Sequence, residues 1–444
     1  MAFRVFFNSR FYYPVFTVLF LDFGLTLEQF AILNAVWAGT IVLAEVPSGA
    51  LADILGRRRL LVASAMIMVV EIALISFAPD PGSPGVFACF LVNRVLSGLA
   101  EAAASGADEA LAYDTLSANS MAHDWGRVLE RLMRFQSIGF ILAMTLGAAL
   151  YDPALMTRLG LLSGMFSGIT REVTLRLPLY LTLVMAVLAL GATLVMTEAQ
   201  PGSQEDKVGV LQGKQGILQA FSLTFTAGQW IVKTPFVLFV LMFGMLFDGI
   251  IRMVITLGSQ YYRVIGLPES SFGIIGATVA VLGMFVPRIA RTIAEKRTPS
   301  LGLWVTSSLT VTGLLGMAMF WPVAGLAPAL ITFSAMYFTG FLVSFHVNRA
   351  TSSQRRATVL SFKGLVYNIS YGVLGLAYSG LVSAAKQGME PVSGTILENR
   401  VFMHVFSWFP GAFAAGLILL VILYRVMVKS PAQAPGAAGG SDRP

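Results

Sequence analysis

Long apolar runs, one after another, leave this chain few folds to choose from. Twelve stretches read as candidate spans: residues 11–27, 31–51, 60–78, 86–112, 128–150, 177–197, 235–258, 271–290, 300–320, 324–347, 358–382 and 402–427. Each is about long enough to cross a hydrocarbon core of ~30 Å. In lipid the backbone must satisfy its own polar groups, which a helix does internally. Hydrophobic residues make up 56% of the chain and charged residues 12%, with mean hydropathy +0.76. No soluble domain of this length needs so much apolar surface. The expected fold class is an all-α polytopic membrane protein. Met1-Ala2-Phe3-Arg4 leads into the first span without a small-residue cleavage site, so that span is expected to stay as an anchor.

The net charge of +7 is informative by location rather than as a nucleic-acid footprint. With both termini inside, Arg158, Arg171, Arg176, Arg263, Lys386 and Arg400 fall on outer segments, and Arg94 and Arg252 fall within spans. Every other lysine and arginine is then on an inner segment or in the inner part of a span, as the positive-inside rule requires. This places the chain in the cell's inner (plasma) membrane as a multi-pass protein with cytoplasmic termini. Residues 198–233 form the one long polar break, an inner linker with a mildly amphipathic stretch. It divides the chain into six-helix halves over 1–197 and 234–427, and the tail 428–444 is too poor in large apolar residues to fold. The outer segment 151–176 reads either as a surface piece or as a plain linker.

Several chemistries are excluded. Cys89 is the only cysteine, and His123, His346 and His404 lie far apart, so no disulfide and no metal site is expected. The nearest phosphate-loop string, Gly209 to Lys214, has one residue too few between its glycines and no following Ser or Thr. There is no Gly-x-Ser-x-Gly elbow, zinc-protease helix motif or dinucleotide fingerprint. No cofactor and no enzymatic activity is expected. The expected partners are the lipid bilayer, protons and a small-molecule substrate, and the chain is expected to act as a monomer.

The most specific motif lies between the second and third spans: Gly49-Ala50-Leu51-Ala52-Asp53-Ile54-Leu55-Gly56-Arg57-Arg58-Arg59-Leu60-Leu61. Gly49 and Ala52 are small enough to let another helix approach, Gly56 makes a sharp bend cheap, and three arginines fix the turn on the inner side. Asp53 is the lone acid in this basic turn. The order resembles the signature loop of the major facilitator superfamily of secondary transporters, with Ile54 standing where that family usually has a basic residue. Phe90-x-x-x-Arg94-x-x-Ser97-Gly98 resembles the family's fourth-helix motif, with Ser97 in place of the usual glutamine. Gly106 to Asp114 resembles a segment of its bacterial transporters, and the first-half motifs together look more like those of bacterial exporters. The fifth span, Gly139 to Gly147, lacks the Gly-Pro pair of many exporters.

The resemblance implies twelve helices as two six-helix bundles around a central cavity, working by alternating access. It implies a cytoplasmic gate of Gly49, Asp53, Gly56, Arg57, Asp108 and Glu109. In that gate Asp108, or else Glu109, pairs with Arg57, and Asp53 caps the eleventh helix, whose start is placed at Arg356 to Ser361. It also links Arg94 with proton coupling. Glu45, Gly49 and Asp53 share one helix face, which joins Glu45 to the gate.

Ionisable groups inside spans are costly, so each is a candidate for function. Arg94, Glu101 and Asp108 recur every seven residues, with Ser97 and Ser105 on the same stripe. The glycines and alanines around them make this helix thin, so the stripe is expected to face a cavity or another helix. Glu101 ranks first as proton carrier. Glu71 lies mid-span without an evident partner, a setting that favours a carried proton, and Asp22 lies near the outer end of the first span. Asp248 and Arg252, four apart, are expected to pair along one helix face, either as architecture or at the substrate. Phe20, Phe23, Trp37, Phe135, Tyr337, Phe341, Tyr367 and Tyr371 are candidate cavity aromatics.

The functional expectation is secondary transport of a small organic solute, as proton-coupled efflux of a drug-like or metabolic compound. The alternatives are a proton-coupled importer of a siderophore-type or nutrient molecule, a transport-inactive sensor of the same fold, and a membrane-embedded enzyme, for which no convergent nucleophile, base or metal set is visible.

Overall fold

The computed structural model describes residues 1–105, 107–118, 121, 124–163, 170–197, 222, 225, 226, 228–351, 353–390 and 394–429. Every regular element among them is helical, and 11 helices are long and apolar enough to cross a membrane. The remaining expected span, the first, is interrupted. It consists of α1 (Ala2–Asn8), a 3₁₀ turn (Tyr13–Val15) and α2 (Phe16–Asp22), where the sequence predicts one helix over 11–27. Pro14 accounts for the break: it lacks an N–H and disfavours a helical Tyr13 before it.

An interruption inside a bundle exposes backbone groups that no water can satisfy. Here side chains satisfy them. The Phe11 N–H donates to Thr182 Oγ1 at 3.0 Å. The first amides of α2, Thr17 and Val18, both donate to Ser259 Oγ, at 3.0 and 3.2 Å. Thr182 belongs to the first half of the chain and Ser259 to the second.

The first half continues with α3 (Leu27–Leu55), α4 (Arg57–Ser76), α5 (Gly85–Ala104), α6 (Ala107–Ala118), α7 (Trp125–Tyr151), α8 (Pro153–Ser163) and α9 (Arg171–Val195). A capping box starts α3, with the Gln29 N–H on Thr26 Oγ1 and the Thr26 N–H on Gln29 Oε1. Gly56 ends it at φ 91°, a left-handed backbone suited to glycine. The outer segment, predicted as a surface piece or a linker, contains α8 packed against α7 and α9. The fourth expected span is divided between α5 and α6.

The second half runs through α10 (Pro235–Thr256), α11 (Gly258–Val264), α12 (Phe272–Lys296), α13 (Pro299–Ala318), α14 (Leu326–Ala350), α15 (Ser353–Gln387), α16 (Gly394–Phe406) and α17 (Phe409–Lys429). Most of the linker expected over 198–233 and nearly all of the tail expected over 428–444 lie outside the described residues.

Small residues set the helix spacing. On α5, a Cβ at Gly98 would lie 2.8 Å from Thr40 Cβ on α3. Ser48 and Ser64 donate to the Ala102 and Ala100 carbonyls, each at 2.7 Å. The thin fourth span is thus gripped by both α3 and α4. Gly49 differs from its expected role, because an added Cβ there meets nothing within 4 Å among the described residues.

The halves meet where α3 packs along α15 and α7 along α12. At the second seam a Cβ on Gly273 would collide with the Met144 carbonyl and lie 2.6 Å from Thr145 Cα, whereas one on Gly191 meets nothing within 4 Å. Gly273→Ala is therefore expected to lower the thermal unfolding midpoint of the detergent-solubilised protein by an amount equivalent to ~1–3 kcal/mol. Gly191→Ala should leave it unchanged or slightly raised. Equal midpoints for the two variants would contradict this account of the seam.

Candidate functional site

Between the halves lies a cavity of about 360 Å³. The interrupted first span contributes Tyr13, Pro14 and Phe16, and α3 contributes Asn34 and Trp37. From α5 come Arg94, Ser97 and Glu101. The second half supplies Arg252, Thr256 and Ser259, together with Tyr262, Phe272, Phe333 and Tyr371. A second, polar recess of about 280 Å³ is lined by Arg4, Glu45, Ser105, Asp108 and Asn368, and lies toward the end of the bundle that carries Arg57, Arg58 and Arg59. Trp37 and Glu101 line both spaces. The seven-residue stripe of the fourth span thus faces inward: Arg94, Ser97 and Glu101 onto the cavity, Glu101, Ser105 and Asp108 onto the recess.

The polar side of the cavity is built from one network. Glu71 is fully buried and has partners that its sequence neighbourhood does not reveal. Arg10 Nη1 donates to its Oε1 at 2.8 Å and Asn93 Nδ2 to its Oε2 at 2.5 Å. Arg10 reaches it because the chain breaks after α1 and turns this side chain into the bundle. Arg94 donates through Nε and Nη2 to Asn93 Oδ1, at 3.0 and 2.8 Å. Its guanidinium lies over Phe16 and Phe20, at 5.4 and 5.5 Å from the ring centroids.

Asp248 and Arg252 pair at 2.5 Å, as their spacing predicts, and Arg252 also donates to Asn368 Oδ1 at 3.0 Å. Arg252 lines the cavity, whereas Asp248 is buried behind it. Of the eight candidate aromatics, Trp37 and Tyr371 line the cavity and six lie elsewhere. Phe23 is buried against Phe90, Phe135 is exposed, and Phe341 stacks on Phe345. Phe20 is fully buried among Phe16, Phe30 and Phe90. Tyr367 packs onto Gly244, and Tyr337 joins a separate apolar cluster with Phe338 and Leu342. Residue type alone could not place them, since a helix buries aromatic rings on several faces.

At the end opposite the basic turn the halves are clasped by ion clusters. Asp22 closes the first span there, with no contact to the cavity that holds Glu101. Arg263 grips both of its oxygens, at 2.8 and 2.7 Å, and reaches Glu269 at 2.5 Å. Arg171 also bonds both Asp22 and Glu269, and the Tyr151 hydroxyl donates to Asp22 at 2.5 Å. Nearby, Lys386 joins Glu28 at 2.9 Å and also bonds Glu398. Asp152 adds a third tie: its Oδ1 accepts from Ala154 and Leu155 at the start of α8, and its Oδ2 accepts from the Ser270 N–H at 3.2 Å. Burial alone would push the Asp152 carboxyl up, but the hydrogen bonds from Ser270, Leu155 and Ala154 hold it below its ordinary value. Its contribution is therefore complete above ~3.9, the usual aspartate pKa, and fades only below that.

At the basic-turn end, Arg58 Nη2 donates to the Leu194 carbonyl at 2.9 Å. The sequence pairs Asp108 with Arg57, or else Glu109; the structure gives both acids to Arg4, at 3.2 and 2.5 Å. The side chains of Asp53 and of residues 353–358 lie outside the described residues, and so does the expected cap between them.

Arg10, Asn93, Arg171, Arg263, Glu269 and Lys386 escaped the sequence reading. The signal for Arg10 was Pro14 inside an apolar run. For the clasp it was a set of lone charges at outer span ends, which reads as ordinary solvated surface.

Removing the clasp should loosen the closed end. Arg263→Gln is expected to raise the population open at that end about tenfold, equivalent to ~1.4 kcal/mol. Spin-label distances between the exposed positions 80 and 390, in a Cys89→Ser background, would report it. An unchanged distance distribution would show that the clusters do not hold that end shut.

The family model for the Major Facilitator Superfamily matches residues 1–375. No curated protein matches the chain by sequence. Among solved structures, a bacterial homologue of the human lysosomal transporter Spinster, inward-facing and unoccupied, superposes with a TM-score of 0.70 at 17% identity, covering 97% of each chain. A mutant of the nucleoside transporter NupG gives 0.69 at 14% identity, over 96% of this chain and 98% of that one. The xylose transporter XylE from E. coli, in a partially occluded inward-open conformation, gives 0.58 at 13% identity, covering 96% of both. This is an all-α, multi-pass membrane protein with two helical bundles around a central cavity, and it belongs to the major facilitator superfamily.

Proposed function

We propose that this secondary transporter exports a small organic solute in exchange for protons, by alternating access through the central cavity. One observation carries the reading: Glu101 lines both the cavity and the polar recess toward the basic-turn end. A carboxyl in that position can take a proton from one compartment and release it when the other opens. Arg94 lies two turns away on the same face. Arg10 and Glu71 neutralise each other behind the wall, which leaves Glu101 as the acid exposed to the cavity.

Positive-inside charge puts the basic turn in the cytoplasm. The clasp of Asp22, Arg171, Arg263 and Glu269 then closes the outer side, and the protein is inward-facing. In that state substrate enters from the cytoplasm. Outward opening requires the clasp to part while the recess around Glu45 and Asp108 closes, with Asp53 latching the halves on the inner side. The likeness of residues 49–61 and 106–114 to bacterial exporters supports export. The missing Gly-Pro pair over 139–147 favours the other direction, proton-coupled import, and direction is therefore read out in the same experiment.

Proteoliposomes loaded with a pH-sensitive dye would be challenged with each solute that a thermal-shift screen identifies. Solute movement is expected to carry protons the opposite way, and Glu101→Gln to cut gradient-driven flux at least about tenfold while sparing counterflow of labelled solute. Co-directional proton movement would establish import. Full gradient-driven flux in Glu101→Gln would remove Glu101 from the coupling role.

A further inference from the structure

Counting Glu101, the arginines and carboxylates beside the cavity are equal in number, but they are not equally paired. Arg10, Glu71 and Arg94 form one buried network through Asn93, with two cations and one anion. Arg252, the other cation in the cavity wall, has its own carboxylate in Asp248. Arg94 has no carboxylate within 4.0 Å among the described residues, and it is only 4% exposed. A buried cation without a counter-charge is costly in a bilayer.

The geometry shows where an anion would fit against Arg94. A guanidinium has five N–H donors in one plane. In Arg94 the Nε and one Nη2 hydrogen are spent on Asn93 Oδ1, whose own orientation is pinned because its amide nitrogen donates to Glu71. Phe16 and Phe20, whose ring centroids are 5.1 Å apart, both lie to one side of the guanidinium. Nη1 makes no hydrogen bond among the described residues, and the side chain lines the cavity. The group is therefore held along one edge and backed by two rings on one side, with the Nη1 edge free. Such an edge suits a carboxylate, which accepts two parallel N–H bonds from a guanidinium. The rest of the wall is largely aromatic and apolar, with Trp37, Phe140, Phe272, Phe333 and Tyr371. Glu101 lies about 10 Å along the same helix, seven residues at ~1.5 Å each, so the acid end of a ligand can sit at Arg94 clear of it.

We propose that the solute is an organic carboxylate with an aromatic or apolar body, its carboxylate bound by the free edge of Arg94. This deepens the transport reading and rests on the cavity being the solute site. Arg94 is then a substrate-binding residue, and the Arg10–Glu71–Asn93 network positions it.

The test is equilibrium binding to the purified full-length protein in detergent, with no gradient applied. The probes are 2-naphthoate, its neutral amide 2-naphthamide, and 2-naphthylmethylamine, three ligands of one shape and different charge. The unaltered protein is expected to bind the carboxylate at least about tenfold more tightly than either analogue. Arg94→Gln should bring the acid and the amide within about twofold of each other, and Arg94→Lys should restore part of the preference. Equal affinity for acid and amide in the unaltered protein, no binding of the acid, or a preference that survives Arg94→Gln would each overturn the proposal. The comparison on the unaltered protein stands even if a variant fails to fold. An acid preference without translocation in proteoliposomes would count against transport and leave this assignment standing.

Discussion

A helix interrupted in the middle of a membrane bundle leaves amides that must find partners, and most of this molecule's organisation follows from how they find them. The break at Tyr12-Tyr13-Pro14 is answered by Thr182 from within the first half and by Ser259 from the second. A hydroxyl that accepts from both Thr17 and Val18 ties the outer part of the first span to α11 across the interface. The same break turns Arg10 inward onto Glu71 and brings Tyr13, Pro14 and Phe16 to the cavity wall. Had the first span been a continuous helix, Glu71 would have lost a partner and the cavity one side.

The charged groups sort by depth. In the middle, Arg10, Glu71, Asn93 and Arg94 form a buried network. Toward the end opposite the basic turn, Asp22 with Arg171, Arg263 and Glu269, and Lys386 with Glu28 and Glu398, are partly exposed and bridge the halves. Partial exposure weakens such pairs, which suits contacts that must part in each cycle. A clasp of deeply buried pairs would resist opening. A rocking transporter thus needs its permanent charges buried and its reversible ones wet, and the observed distribution follows that division.

Family membership fixes the architecture and the class of activity, but at 13–17% identity the solved relatives carry no information on substrate. Substrate chemistry has to come from this cavity. Its character is an aromatic wall, one neutralised arginine, one arginine with a free edge, and one carboxyl shared with the recess. Ordered together, these groups give each charge a separate task. On the proposed function Arg94 faces the solute and Glu101 the proton, while Asp248 pairs with Arg252 at the opposite wall.

Much of this was legible in the chain itself, for a physical reason: lipid forces helices, and apolar length sets the spans. The seven-residue stripe of Arg94, Glu101 and Asp108 could be assigned to the interior because helical periodicity fixes which side chains share a face, and the Asp248–Arg252 pair followed from i, i+4 geometry. Tertiary structure alone decided the rest. Arg10 meets Glu71 across 61 residues of chain, and Asp22 meets Arg263 across 241. Periodicity within one helix says nothing about its neighbour's rotation. For the same reason Phe20, Tyr337 and Tyr367 could not be told from cavity residues: an aromatic ring suits a packed interface as well as a binding wall, and only the arrangement of the other helices separates the two.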